Sequence, residues 1–257
     1  MNSRELLTLA RFSRDAYPES HESEADWRDR IKSYLPDAHL SFHQNSGSDG
    51  FSFRLRGSFY VVVRGTYGTF DWLTDFAKKK ESSTLAGKIH SGFKASARRL
   101  WLAGVCEALI EAVEDDHRIL IGGHSLGAAT AIDIAARTWA RGLPVDGVLA
   151  MNSPRVGDWK FAKAMESINV IRTQNNRDPV SHVPSALSGF KHTGRRIYFD
   201  RSGECHVNPS WAYVLHDKIT SLWTEGLLVS TFADHSADYN CNLIEKNVSK
   251  ILQASRS

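Results

Sequence analysis

Apolar positions recur along this chain with two periods, and the switch between them outlines the elements. Leu6, Leu7, Leu9, Ala10 and Phe12 fall on one face of a first helix. A second helical stretch covers 22–35 and stops at Pro36. Residues 40–42 and 51–55 alternate as strands, and the run Phe59-Tyr-Val-Val-Val predicts a strand buried on both faces. From there strand and helix patterns take turns: a helix over 90–113, a strand at 119–121 closed by Gly122-Gly123, an alanine-rich helix over 125–140, a strand at 148–151, a short helix over 159–165 and a strand at 170–172. The remainder is looser, with a strand at 196–199 and helical patterns over 213–232 and 243–252. This rhythm predicts an α/β fold, a mostly parallel central sheet with helices on both faces. No internal repeat or Pro/Ser-rich linker divides the chain, so residues 1–257 read as one domain. In such sheets the reactive groups lie in loops beyond the carboxyl ends of the strands.

One of those loops holds Gly123-His124-Ser125-Leu126-Gly127, a GxSxG pentapeptide between a buried strand and a helix. That placement gives the motif its chemistry. A sharp strand-to-helix turn exposes the serine hydroxyl, and the flanking glycines avoid a Cβ that would strike the adjacent elements. The helix N-terminus beneath the serine favours negative charge developing on a substrate oxygen. His124 is adjacent to the serine on a tight turn and points elsewhere, which predicts a packing or hydrogen-bonding role for it.

A serine nucleophile needs a base, and the base needs an orienting carboxylate. Strand–turn–helix sites of this kind present them in the order Ser, Asp or Glu, His, which leaves His182, His192, His206, His216 and His235. For the acid, Asp178 follows the 170–172 strand on a loop fixed by Pro179, and it is favoured over Asp200 at the end of the 196–199 strand. For the base, loop position favours His235; His182 would share a loop with Asp178, His216 falls on a helix face, and spacing alone leaves His206 open.

Composition narrows the classes. A chain 42% apolar and 24% charged is an ordinary globular one. A net charge of +3, dispersed, does not mark a nucleic-acid binder. No apolar run approaches the roughly 18–20 residues that span a bilayer. The first seventeen residues lack the continuous apolar core of a secretory signal, so a soluble protein without such a signal is expected and its location stays open. Cys106, Cys205 and Cys241 are odd in number and far apart, which argues against a disulfide scaffold and against zinc. Cys106 reads as helix core. Nothing calls for a metal, a cofactor or an obligate protein partner.

With these residues in view, the chain resembles the class 3 lipases, an α/β-hydrolase family that includes filamentous-fungal triacylglycerol lipases and feruloyl esterases. The resemblance covers about residues 61–239. It rests on Arg64-Gly65-Thr66 with Asp71-Trp72-Leu73 and Asp75, His90-Ser91-Gly92-Phe93, the GGHSLGAA of 122–129, Asn152-Ser153-Pro154-Arg155-Val156-Gly157, Asn176-Arg177-Asp178-Pro179-Val180, His192-Thr193-Gly194, and Asp234-His235 with Tyr239. It implies the α/β-hydrolase fold, Ser125 as nucleophile, Asp178 as acid, His235 as base, and oxyanion donors from Leu126 (backbone N–H) and Thr66 (backbone N–H and hydroxyl). It further implies a lid over about residues 66–80, with Tyr67, Phe70, Trp72, Leu73 and Phe76 as its aromatic and apolar face, buried when closed and offered to lipid when open; a fixed cover is the alternative. Lys78-Lys79-Lys80, beyond the aromatic stretch that ends at Phe76, reads as a solvated turn, with anionic phospholipid as the other use. The implied activity is cleavage of lipid carboxylic esters through an acyl-enzyme at a lipid–water interface, with phospholipase A1 or feruloyl/aryl esterase as alternatives. An inactive hydrolase fold serving as a binding module is the non-enzyme reading. The first fifty residues and the cysteines depart from the secreted fungal pattern.

Overall fold

A computed structural model describes residues 1–36, 38–65, 79–225 and 234–253. In chain order the elements are α1 (Ser3–Asp15), α2 (Glu24–Tyr34), β1 (Leu40–Asn45), β2 (Ser48–Leu55), β3 (Ser58–Val63), β4 (Lys80–Ser82), β5 (Lys88–His90), α3 (Ser91–Leu100), α4 (Cys106–Glu114), β6 (Arg118–His124), α5 (Leu126–Ala140), β7 (Gly147–Met151), α6 (Trp159–Ala164), β8 (Val170–Asn175), β9 (Arg195–Phe199), β10 (Cys205–Val207), α7 (Trp211–Glu225) and α8 (Ala237–Gln253). Both leading helices start where capping chemistry starts them. Asn2 with Glu5, and Ser23 with Asp26, form reciprocal capping boxes.

Eight strands form one sheet in the order β1-β2-β3-β6-β7-β8-β9-β10. The central run β3, β6, β7, β8, β9 is parallel and the flanking pairings are antiparallel, so the expected mostly parallel α/β architecture holds. Strand alternation sorts the faces. Phe59, Val61 and Val63 of β3 enter the cluster under α3, α4 and α5, whereas Tyr60 and Val62 enter the cluster under α1, α2 and α8. Cys106 packs in the first cluster, Cys205 and Cys241 in the second, and all three are free thiols. No described helix is long and apolar enough to cross a membrane.

The helix expected over 90–113 is broken. Between α3 and α4, residues Trp101–Val105 form a π-type turn in which Gly104 takes φ 103°, a conformation open chiefly to glycine. The carbonyl of Ala103 leaves the helical ladder and accepts from His43 Nδ1 at 3.0 Å, while His43 Nε2 accepts from Ser52 Oγ at 2.8 Å. Apolar spacing continued through the break and hid it. The short strands β4, β5 and β10 were equally invisible, because three residues carry no readable period. The helix expected over 213–232 begins at Trp211, and 226–233 lie outside the described residues.

Within α5 the carboxyl of Asp133 is fully buried, with Arg137 Nε at 2.9 Å and no hydrogen-bond partner for Oδ1 among the described residues. Burial, opposed by Arg137, pushes its pKa from 3.8 up to about 6. Between those values the folded chain holds a proton that the unfolded chain has released, so this group's contribution to stability falls as pH rises through the window. Urea unfolding of wild type and Asp133→Asn at pH 5 and pH 7 checks this: the wild-type difference between the two pH values is expected to move towards greater stability at pH 7 once Asn replaces Asp133.

Candidate active site

The β6–α5 turn brings Ser125 to the carboxyl end of the sheet with φ 59° and ψ −126°, a strained position for a residue with a Cβ. Three local features hold it there. Ser125 N–H donates to Met151 O at 2.8 Å, so the turn is tied to the end of β7. Gly123 and Gly127 lie against each other, and a Cβ on Gly123 would sit 2.7 Å from the carbonyl carbon of Gly127. Leu126 opens α5, among the first N–H groups that a helix leaves without an intrahelical partner.

Ser125 Oγ lies 2.9 Å from His235 Nε2, and His235 Nδ1 lies 2.9 Å from Asp178 Oδ1. All three side chains are buried. Asp178 Oδ1 also accepts from the N–H of Val180 at 2.9 Å, and Oδ2 accepts from Ser181 Oγ at 2.8 Å. A carboxylate so engaged is best matched by an imidazole carrying its proton on Nδ1, which leaves Nε2 to accept from the serine.

His235 is held by its backbone as well as its ring. Asn152 Nδ2 and Asn175 Nδ2 both donate to Asp234 O at 2.7 Å, and the N–H of Arg177 donates to Asp234 Oδ2 at 3.1 Å. His124 Nε2 lies 2.7 Å from His235 O, a contact that requires Nε2–H, so Nδ1 accepts from Tyr17 O–H at 3.0 Å. Burial first, then the neighbouring His235, holds His124 well below the usual imidazole range. It is thus a neutral strut, in line with the hydrogen-bonding role expected for it. Sequence reasoning missed Tyr17, Asn152, Asn175 and Ser181 as parts of this support. The positive φ of Asn152 belongs to a residue type that tolerates it, but only the fold shows what its amide does.

The rival candidates go elsewhere. Asp200 and His206 pair with each other at 2.8 Å, joined by Tyr213 and Ser202, at the β9–β10 corner. His182 contacts Lys218, and burial with that cation lowers it to about 4. His192 Nε2 bonds Ser181 O, and His216 is exposed on α7. Thr66 and the lid positions Tyr67, Phe70, Trp72, Leu73 and Phe76 lie outside the described residues. At the far end of that segment Lys80 is anchored rather than solvated, with Nζ on Ser188 O at 2.8 Å and 4.4 Å from the Phe190 ring centre.

A family model described as Lipase (class 3) matches residues 60–188, half of the chain. The chain belongs to this class 3 lipase family. Among its relatives is a lipase of Rhizomucor miehei, 32% identical over an alignment 155 positions long that covers 56% of this chain and 43% of the relative. Another is phospholipase A1-II 3 of Oryza sativa subsp. indica, 38% identical over 42% of this chain and 28% of the relative. The matched stretch is thus less than half the length of either curated relative. Among solved structures, that of a triacylglycerol lipase whose catalytic centre is formed by a serine protease triad superposes with a TM-score of 0.68 at 26% identity, over 90% of this chain and 92% of that one. The α/β-hydrolase fold of this class 3 lipase chain therefore extends well beyond the residues that the family model matches.

Proposed function

We propose that the chain is a serine hydrolase that cleaves carboxylic esters of lipids. The observation that carries this reading is the hydrogen-bonded line from Ser125 Oγ through the imidazole of His235 to Asp178. In the proposed reaction His235 Nε2 takes the Ser125 proton as Oγ bonds to the ester carbonyl carbon. The N–H of Leu126, with Thr66 from the sequence reading, receives the oxyanion, and electrostatic donors of this kind supply a large share of such rate enhancements. The imidazolium gives its proton to the departing alcohol as the C–O bond breaks. Water then repeats the sequence, releasing the acid and restoring Ser125. Asp178 keeps its negative charge throughout and stabilises the imidazolium.

The relatives named as lipases support lipid esters as substrates, and the rice relative named as a phospholipase A1 supports phospholipid as the second reading. The proposal takes residues 1–257 as one catalytic domain and 66–80 as its lid, whose Tyr67, Phe70, Trp72, Leu73 and Phe76 would meet the lipid surface.

A fluorophosphonate probe followed by peptide mapping is expected to label Ser125. Hydrolysis of a triglyceride emulsion is expected to exceed that of phosphatidylcholine vesicles. No labelling would return the chain to the inactive binding-module reading, and a reversed substrate order would favour the phospholipase A1 reading.

A further inference from the structure

The outer face where α3 meets α5 gathers cations around a leucine left in water. Lys94 and Arg98 stand one turn apart on α3 with Arg99 beside them, and Arg137 and Arg141 stand one turn apart at the end of α5. The helices touch here, with Arg137 Nη2 on Lys94 O at 3.4 Å. Lys94 is paired with Glu81 at 3.2 Å and Arg137 with Asp133 at 2.9 Å. Among the described residues Arg98, Arg99 and Arg141 are in no ion pair. Arg99 Nη1 reaches Ser48 Oγ at 3.4 Å, and the Arg141 guanidinium lies 5.4 Å from the centre of the Trp101 ring.

Leu102, in the π-type turn after α3, is 66% exposed. It and Arg98 line both of two neighbouring hollows. One, of about 390 Å³, is shared with Trp101, Arg137 and Arg141; the other, of about 520 Å³, is shared with Lys94, Arg99 and Asn45. Asn45 pairs with Ser48 at the β1–β2 turn, and Gly50 pairs with Val63, itself level with Gly123. This side of the face therefore lies at the end of the sheet that carries Ser125. Cations suit the last turn of a helix, but that preference does not account for the leucine among them. Like charges one turn apart destabilise a helix, and a negatively charged surface relieves that repulsion.

We propose that this face docks on a bilayer surface that carries anionic phospholipid, with headgroup phosphates in the two hollows and Leu102 between headgroups. A guanidinium fork matches the oxygens of a phosphate, and each Lys or Arg near a negatively charged leaflet adds to the attraction. Solvated, unpaired arginines are the form of charge such a surface draws on. A nucleic-acid backbone also offers phosphates, but it gives Leu102 no apolar region to enter. The inference concerns binding alone and depends neither on ester hydrolysis nor on residues 66–78.

Co-sedimentation of the whole chain with vesicles is the test. The vesicles are made of diether phospholipids, which hold no ester to cleave: phosphatidylcholine alone, and an equimolar mixture with phosphatidylglycerol. At low salt, binding to the mixed vesicles is expected to exceed binding to neutral ones by about tenfold or more. It should be lost in about 1 M NaCl, where the screening length is about 3 Å. The double variant Arg98→Gln/Arg141→Gln should bind the mixed vesicles about 25-fold more weakly, about fivefold for each arginine. Leu102→Ser should weaken binding by about fivefold and keep its salt dependence. All three positions are exposed, so both variants are expected to fold and to cleave a soluble ester at the wild-type rate. Equal binding to the two vesicle types, wild-type affinity in either variant, or tighter binding to a DNA duplex than to mixed vesicles overturns the proposal.

Discussion

Replacing Ser125 by alanine is expected to lower kcat for p-nitrophenyl butyrate by about 10⁵- to 10⁶-fold, the scale seen when a triad serine is removed. The loss should lie in the chemical step, because the surrounding wall and the Asp178–His235 pair are left in place. Steady-state hydrolysis and a urea titration on the same sample check it. Activity within tenfold of wild type would remove Ser125 from the mechanism. Ser125→Gly should be equally inactive yet more stable by about 1 kcal/mol, since a residue at φ 59° without a Cβ escapes the steric cost of that conformation. A less active but more stable variant would show that the turn stores strain to present its hydroxyl.

The second large effect belongs to Gly127. A Cβ there would meet the carbonyl oxygen of Val63 and lie 2.8 Å from Arg64 C and 2.9 Å from Gly65 N. Every one of these atoms is backbone, so no side chain can swing aside. Gly127→Ala must therefore push α5 away from the end of β3, which costs about 3 kcal/mol, the upper end of ordinary overpacking. For a domain of this size that is a fall in Tm of roughly 6–12 °C. The same displacement carries the Leu126 N–H and Ser125 away from the ester carbonyl, and an error of an ångström costs about 100-fold in rate. Gly142→Ala is the control. Gly142 has φ +77° with nothing within 4 Å of its would-be Cβ, so it should lose only about 1–2 kcal/mol and no activity. Equal effects at the two glycines would mean that backbone conformation, not the contact, sets the cost.

Much of this was readable in the linear order of residues. The run at 59–63 and the Ile119–Ile121 run become neighbouring parallel strands because continuous β-branched and aromatic stretches can be buried only on both faces of a sheet. The GxSxG turn lay where a strand period gives way to a helix period. Other parts were not readable. The break at Gly104 hid under apolar spacing that satisfied a single helix. Asp200 and His206 looked like candidates because each sits in a suitable loop; the fold pairs them with each other at the β9–β10 corner and sets His235 and Asp178 in line with Ser125.

What the sequence by itself determined is everything that depends on local period and local turn chemistry: the α/β order, the serine turn between two glycines, and the Asp178 loop closed by Pro179. What the tertiary structure alone decided is which side chains share a point in space. Tyr17, His124, Asn152, Asn175 and Ser181 are far apart from Ser125 or His235 in the chain, and they act through hydrogen bonds to partners that spacing does not name. The same holds for Arg172, whose charge looks ordinary in a strand until the fold buries it near Arg196 and Arg155. Periodicity reports which face of an element is apolar; it carries no information about where a buried polar group finds its partner, because that distance is set by the packing of the whole sheet.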